Sequence, residues 1–172
     1  MANKTWKTYD AELMYAQVFE RNMDKGSTDT DAGRTVLEKG GQYKVTMIVD
    51  QDTKDQMVDD GIPEVSMGYQ MFTPVEGRDG FYSYVAKRPH LSNFTDQDTG
   101  EKQPFGPPNV VDYPATLEAG ESVYWDTEVN IGNHSKGKVK IFKWENGNKR
   151  IVRLESVGVI EHVPYADQGP RW

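Results

Sequence analysis

The sequence contains no cysteine, which excludes disulfide bonds, zinc–thiolate sites and cysteine nucleophiles. It also lacks long apolar runs, since no stretch approaches the roughly 18 consecutive apolar residues that a membrane-spanning helix needs. Its first ten residues hold Lys4, Trp6 and Lys7 rather than the apolar segment of a signal peptide. We therefore expect an intracellular protein that is neither secreted nor bound to a membrane.

The motifs of the common enzyme classes are missing as well. The sequence has no phosphate-binding loop, no dinucleotide-binding fingerprint and no nucleophile elbow. The acidic run Asp50 to Asp60 begins like a calcium-binding loop, but Asp55 stands where that loop needs glycine and Gly61 stands where it needs glutamate. The sequence predicts no catalytic residue, no metal and no cofactor. Carboxylates that are distant in sequence can still meet in the fold, so a nuclease remains an alternative.

What the chain does contain suits a packed domain. Its 172 residues are 36% hydrophobic and 27% charged, with 4 Trp, 9 Tyr and 6 Phe. A disordered chain is poorer in aromatic residues, and two full domains would need more length. We expect one domain over residues 1–172, with a core at about 13–165 and a short tail at 166–172.

Apolar residues recur with the two-residue period of strands, separated by turns rich in Gly, Pro, Asn and Asp. The Asn146-Gly147 pair is a strong hairpin signal between the last two strands. Residues 13–19 fit a strand or a helix, and we favour a strand. The predicted strands are 13–19, 42–49, 65–72, 81–87, 109–112, 122–129, 136–144 and 150–163, with one helical turn at 52–58 and loops at 22–34 and 89–120.

Charge is distributed unevenly along the chain. The net charge is −7, yet residues 130–153 carry 7 basic side chains against one acidic, whereas residues 1–60 carry 8 basic and 12 acidic. A basic stripe on an acidic body can direct a polyanion to one face while the rest of the surface repels it.

The basic stripe combines cations with aromatic rings. Alternation along a strand puts one set of side chains on the same face at intervals of about 7 Å. The members of this set are Lys136, Lys138, Lys140, Phe142 and Trp144. Single-stranded nucleic acid binds such a surface, because its phosphates pair with cations and its bases stack on rings. The same residues also fit an ordinary amphipathic strand whose lysines protect a sheet edge.

Further cations and rings extend this prediction. Lys143, Arg150 and Arg153 are expected to neutralise phosphates beside the basic strand. In a second strand, Tyr82 and Tyr84 share a face, and Lys87 and Arg88 follow them. Tyrosine is common in strands for packing reasons alone, so stacking and core packing both remain open for the two tyrosines.

Several segments resemble the single-stranded-DNA-binding proteins of T7-like bacteriophages, and they occur in that family's order. Phe142-Lys143-Trp144 resembles the aromatic-Lys-aromatic step with which the family holds DNA. The other matching segments are Met14-Tyr15-Ala16, Gly41 to Val45, Met57-Val58-Asp59, Gly132 to Lys136, Lys138-Val139-Lys140 and Arg153 to Val157, with an apolar run to Tyr165.

The resemblance implies a mainly β protein, a single oligonucleotide-binding fold made of a five-stranded, partly open Greek-key barrel with long loops and at most one or two short helices. It also implies a non-enzymatic protein that coats single-stranded DNA during phage replication and recombination in the host cytoplasm. Polymerase, helicase-primase and a second copy of the chain are the further partners it implies. The family can contact replication proteins through a long acidic tail, whereas residues 165–172 here contain one acidic residue.

Two other functions remain as alternatives to DNA coating. The first is a non-enzymatic β-sandwich module of a virion, whose exposed aromatic residues would stack on sugars. The second is a nuclease that uses the acidic residues near Asp50. The first would bind independently of salt, and the second would degrade the strand when magnesium is added.

Overall fold

The computed structural model describes residues 3–66, 68–95 and 97–164. Within these residues the chain forms eleven strands, three α-helices and one short 3₁₀ turn at Glu20–Asn22. The strands are β1 (Asn3–Gln17), β2 (Gln42–Asp50), β3 (Val65–Ser66), β4 (Tyr69–Gln70), β5 (Thr73–Pro74), β6 (Phe81–Pro89), β7 (Leu91–Thr95), β8 (Lys102–Pro104), β9 (Asn109–Asp112), β10 (Ser135–Asn146) and β11 (Lys149–Glu161). The helices are α1 (Asp31–Glu38), α2 (Gln51–Asp59) and α3 (Tyr113–Ala119).

Seven strands form one mixed sheet in the order β5-β6-β2-β1-β10-β11-β9, in which β9 runs parallel to β11 and the other pairs are antiparallel. The sheet curls until β6 meets β11, where the Arg88 guanidinium donates to the Leu154 carbonyl at 3.3 Å. The five strands from β6 to β11 therefore form a partly open barrel, with β5 and β9 at its margins. This confirms the predicted fold class and differs from the two packed sheets of the alternative β-sandwich.

Strand β1 reaches both of its neighbours by bending. Its first part pairs with β10 and its last part with β2, and the register with β2 shifts between Met14 and Gln17. Tyr15 lies at this shift with φ 51°, a left-handed conformation that is uncommon outside glycine. Its backbone N–H donates to Asn133 Oδ1 at 2.7 Å, which holds the bend in place.

All five central strands contribute to one apolar core. Leu13 and Val45 are fully buried in it, as are Val139 and Leu154 on the last two strands. Met57 of α2 is also fully buried, so this helix covers one end of the core. Inward side chains of the five central strands therefore make up most of the core, and α2 adds Met57 to it.

The described residues form three α-helices, whereas the sequence predicted at most two short ones. Only α2 was predicted, as a turn at 52–58. Helix α1 begins inside the segment predicted as a loop, because the Thr30 hydroxyl accepts from Gly33 N at 2.9 Å and caps it. Helix α3 begins after Asp112, which accepts from Ala115 N at 3.0 Å. A proline in its first turn is compatible with a helix, although the segment's prolines had indicated a loop.

Two predicted strands are wrong, and one begins earlier than expected. Val65–Ser66 and Tyr69–Gln70 pair as a hairpin, β3 and β4, and Gly68 before β4 has the positive φ of +84° that such a turn needs. Residues 122–129 make one isolated bridge, and the Trp125 indole N–H donates to the Val129 carbonyl at 2.9 Å, which folds the segment back on itself. The predicted strand at 13–19 is the end of β1, which starts ten residues earlier.

In the part of the chain that the structure describes, no helix is both long and apolar enough to cross a membrane. The predicted tail at 166–172 lies outside the described residues.

Candidate nucleic-acid interface

The ends of three strands form an antiparallel ribbon, which we call the arm: residues 3–8 of β1, 140–146 of β10 and 149–154 of β11. Strand β2 pairs with β1 only from Glu12, and β9 pairs with β11 only from Ser156. Among the described residues, no other strand pairs with either edge of the arm. In the described structure the outer edges of β1 at residues 3–8 and of β11 at residues 149–152 are therefore unpaired, whereas Leu154 lies buried where β6 meets β11.

One face of the arm, which we call the aromatic face, carries Lys4, Trp6, Lys140, Phe142, Trp144 and Arg153. The register explains why they lie together, since directly opposite residues in antiparallel strands share a face. Trp6 is opposite Phe142, Lys4 is opposite Trp144, and Arg153 is opposite Phe142 on the other side. The prediction that Lys140, Phe142 and Trp144 share a face thus agrees with the register.

The rings and cations of this face are in contact. The Trp6 and Phe142 ring centroids are 5.2 Å apart, with an angle of 49° between the rings. The Arg153 guanidinium carbon lies 4.5 Å from the Phe142 centroid and 4.3 Å from that of Phe105. Phe142 is therefore 7% exposed and covered by its neighbours, whereas Trp6 is 52% exposed. Trp6 offers more ring surface to a base than Phe142 does.

The lysines of β10 divide into two groups. Lys138 Nζ lies 2.7 Å from Asp10 Oδ1, and Lys136 Nζ lies 3.3 Å from Glu161 Oε2. The hydrogen bond from Asp10 raises the pKa of Lys138. Among the described residues, neither Lys140 nor Lys4 forms an ion pair. The uncompensated charge of the strand therefore lies beside the rings rather than along the whole strand.

The opposite face of the arm lines a groove of about 950 Å³ between the β10–β11 hairpin, β6 and the 63–73 segment. Lys87 of β6 and Lys149 and Arg150 of the hairpin line this groove. The Arg150 Nε lies 3.2 Å from Glu145 Oε1. Lys143 is also on this side of the arm, but its amine donates to the Asp60 carbonyl at the end of α2 and pairs with Glu145 at 3.4 Å.

The two tyrosines that the sequence predicted as stacking residues, Tyr82 and Tyr84, point toward the inside of the barrel. Tyr84 is 7% exposed and packs in the core against Phe72, with ring centroids 5.0 Å apart, and burial raises its pKa to about 12. Tyr82 donates from its hydroxyl to Gln51 Oε1 at 2.8 Å. The two tyrosines share a face as predicted, but it is the core face, so Tyr84 has no ring surface free for a base.

Arg88 lies where β6 and β11 meet. Its guanidinium donates to the Phe105, Gly106 and Leu154 carbonyls at 3.0 to 3.3 Å and pairs with Glu155 at 3.5 Å. Burial lowers the pKa of Arg88, and the Glu155 carboxylate opposes this effect. Its donors are used to close the barrel and to hold the loop that carries Phe105.

Sequence analysis missed Lys4, Trp6 and Phe105 as parts of this surface. A signal for the first two was present, because Lys4-Thr5-Trp6-Lys7 alternates as a strand does. Phe105 lies in a loop, and no local pattern indicates that its ring lies against Arg153.

No protein-family model matches the sequence, and no curated protein matches it significantly. Solved structures do match. The crystal structure of gp2.5, a single-stranded DNA binding protein encoded by bacteriophage T7, has a TM-score of 0.53 and 22% identity, over 96% of this chain and 98% of that one. A single-stranded DNA-binding protein from bacteriophage Enc34 has a TM-score of 0.50 and 13% identity, over 99% of this chain and 87% of that one. At these identities the similarity shows a shared fold, in agreement with the fold that the resemblance implies.

Proposed function

We propose that this protein binds single-stranded DNA with little sequence preference, and that the aromatic face of the arm is its contact surface. The observation that carries the proposal is the half-exposed Trp6 ring next to Phe142 and Arg153, between lysines that have no acidic partner in the described part of the chain. Stacked bases need flat apolar surfaces, and the phosphates between them need cations nearby. Trp6 and Trp144 would stack bases, while Lys4, Lys140 and Arg153 would neutralise phosphates.

The fold shared with two phage single-stranded-DNA-binding proteins supports the same function. Oligonucleotide-binding barrels bind strands on their sheet and loops, and they do so without chemistry. We therefore propose a binding protein rather than an enzyme, which coats and protects single strands during phage replication and recombination in a host cell. Contacts with polymerase or helicase-primase and self-association remain predictions that rest on the resemblance alone.

Titration of the intrinsic tryptophan fluorescence with oligo-dT, at about 50 and 300 mM salt, tests the proposal. We expect strong quenching that weakens at high salt, because cations on the protein release counterions from the phosphates. Duplex DNA of equal length should bind much more weakly, since its bases are not free to stack on Trp6. Absence of binding to oligo-dT, or an affinity that salt does not change, would contradict the proposal. Salt-independent binding to a sugar would instead favour the virion module.

Two lysines on the same strand provide a matched pair for this titration. Lys140→Ala should make the slope of log K against log salt less steep by about 0.7, the value for one phosphate contact on a single strand. Lys138→Ala removes the same charge, but Asp10 already neutralises that lysine, so the slope should change little. Equal effects of the two substitutions would mean that only the overall charge matters and that the aromatic face is not the contact surface.

A further inference from the structure

The groove on the other side of the arm has the properties of a polyanion site. Its volume of about 950 Å³ is at the upper end of the range of about 300–1,000 Å³ that is usual for ligand pockets. Its lining is mostly polar, with Gln70, Thr73 and Ser83 among its side chains, and the Glu145 carboxylate that also lines it pairs with Arg150 at 3.2 Å. A small apolar ligand would leave these groups without partners, whereas a sugar–phosphate chain offers them donors and acceptors.

The cations of the groove lack full compensation. Partial burial lowers the pKa of Lys87, the nearby Lys44 and Lys39 lower it further, and Asp24 opposes this effect. Among the described residues, neither Lys87 nor Lys149 forms an ion pair. An anion in the groove would offset the repulsion between Lys87 and the nearby Lys44 and Lys39.

Only the thickness of the arm separates this groove from the aromatic face. Along β11, Arg150 and Val152 line the groove, whereas Arg153 belongs to the aromatic face. Strand β9 pairs with β11 only over Ser156–Val159, and Arg88 of β6 contacts β11 at Leu154, so in the described part of the chain no strand covers the β11 edge at residues 149–152. A flexible chain can cross this edge and meet cations on both sides.

We infer that a DNA strand bound on the aromatic face continues across the free edge of β11 into the groove, so that one protein contacts two consecutive segments of one strand. This inference rests on the proposed function and specifies its binding mode. Lys87, Lys149 and Arg150 hold the phosphates of the second segment. Bases in the groove face the polar side chains of the 63–73 segment and of β6, so the second segment depends on charge more than on stacking.

The test compares the full chain with a Lys87→Ala/Lys149→Ala variant on oligo-dT of about 4 and about 16 nucleotides, the range of site sizes for such folds. With the long oligonucleotide, the salt slope of the variant should be less steep by about 0.7 per lysine removed. With the short oligonucleotide, which fits on the aromatic face alone, the variant should bind nearly as the original does. Lys136→Ala/Lys138→Ala is the control, because it removes the same charge from ion-paired positions.

Three outcomes would overturn the inference and are distinguishable from one another. Unchanged binding of the long oligonucleotide by the variant would exclude the groove. Equal losses with short and long oligonucleotides, or equal losses in the control variant, would show a general field effect rather than a second segment. Failure of the unmodified protein to bind either oligonucleotide would instead overturn the proposed function itself.

Discussion

Trp6 is the side chain on which the proposed interface depends most. It exposes 52% of its surface while its ring rests on Phe142, so it is fixed in place without being buried. Trp6→Leu keeps an apolar cover over Phe142 but removes the ring on which a base would stack. We expect it to weaken oligo-dT binding by about 1–3 kcal/mol, the usual contribution of one stacked base.

The measurement is a fluorescence anisotropy titration with labelled oligo-dT, accompanied by circular dichroism to check folding. Tyr124→Ala is the matched control, since Tyr124 is 67% exposed and lies outside the arm. An unchanged affinity in Trp6→Leu, or an equal loss in Tyr124→Ala, would show that Trp6 does not stack with bases.

Local sequence tells which residues share a face of a strand, but not which face is buried or which residues from distant strands lie beside it. The pattern placed Lys140, Phe142 and Trp144 on one face, because strand alternation is a property of the backbone. It could not show that Asp10 neutralises Lys138, since 128 residues separate the two. Nor could it decide whether Tyr84 faces solvent or the core, because both faces of its strand contain residues that pack well.

Among the elements, helix α2 begins where the Asp50 carboxylate caps it. Asp50 accepts from Thr53 N at 2.8 Å, and this hydrogen bond is the main reason that the pKa of Asp50 is lowered. Asp50→Ala should reduce the free energy of unfolding by about 1 kcal/mol, as the loss of a helix cap usually does.

The pH dependence of this cap has a definite sign. Because folding lowers the pKa of Asp50, the stabilisation is complete above the unfolded value of about 3.9 and is lost as the pH falls through the lower folded value. Asp50→Asn keeps an acceptor but cannot titrate. Urea unfolding from pH 6 to pH 2.5 should therefore show the two proteins converging as the pH falls. A stability difference that stays constant with pH would contradict this role for the carboxylate.

Elements with strong local signals were predictable, and those defined by distant contacts were not. Strands β2, β6 and β10 follow alternating apolar patterns, and the hairpin after β10 follows from Asn146-Gly147. Residues 122–129 also alternate, yet among the described residues they have no neighbouring strand to pair with and make only one bridge. Pairing, which the pattern alone does not reveal, decides whether such a segment becomes a strand.

At the scale of the whole molecule, the charge distribution and the fold both place basic residues on the arm. The acidic excess lies outside residues 130–153, while the arm brings basic residues from β10 and β11 together with Lys4 of β1. The uneven charge along the sequence predicted a basic surface. The strand order of the sheet, which places β1 beside β10, determined which residues complete it.

The core that joins the five central strands leads to a prediction about cooperativity. Tyr9 of β1, Val45 of β2 and Tyr84 of β6 belong to the same buried cluster as Val139 of β10 and Leu154 of β11. Removing any one strand would expose the side chains of the others, so the strands should unfold together. We expect one urea transition with the same midpoint by far-ultraviolet circular dichroism and by tryptophan fluorescence. Trp6 and Trp144 lie in the arm and Trp125 lies outside it. An earlier fluorescence transition would mean that the surroundings of these tryptophans unfold separately from the rest and that the prediction of one cooperative domain is wrong.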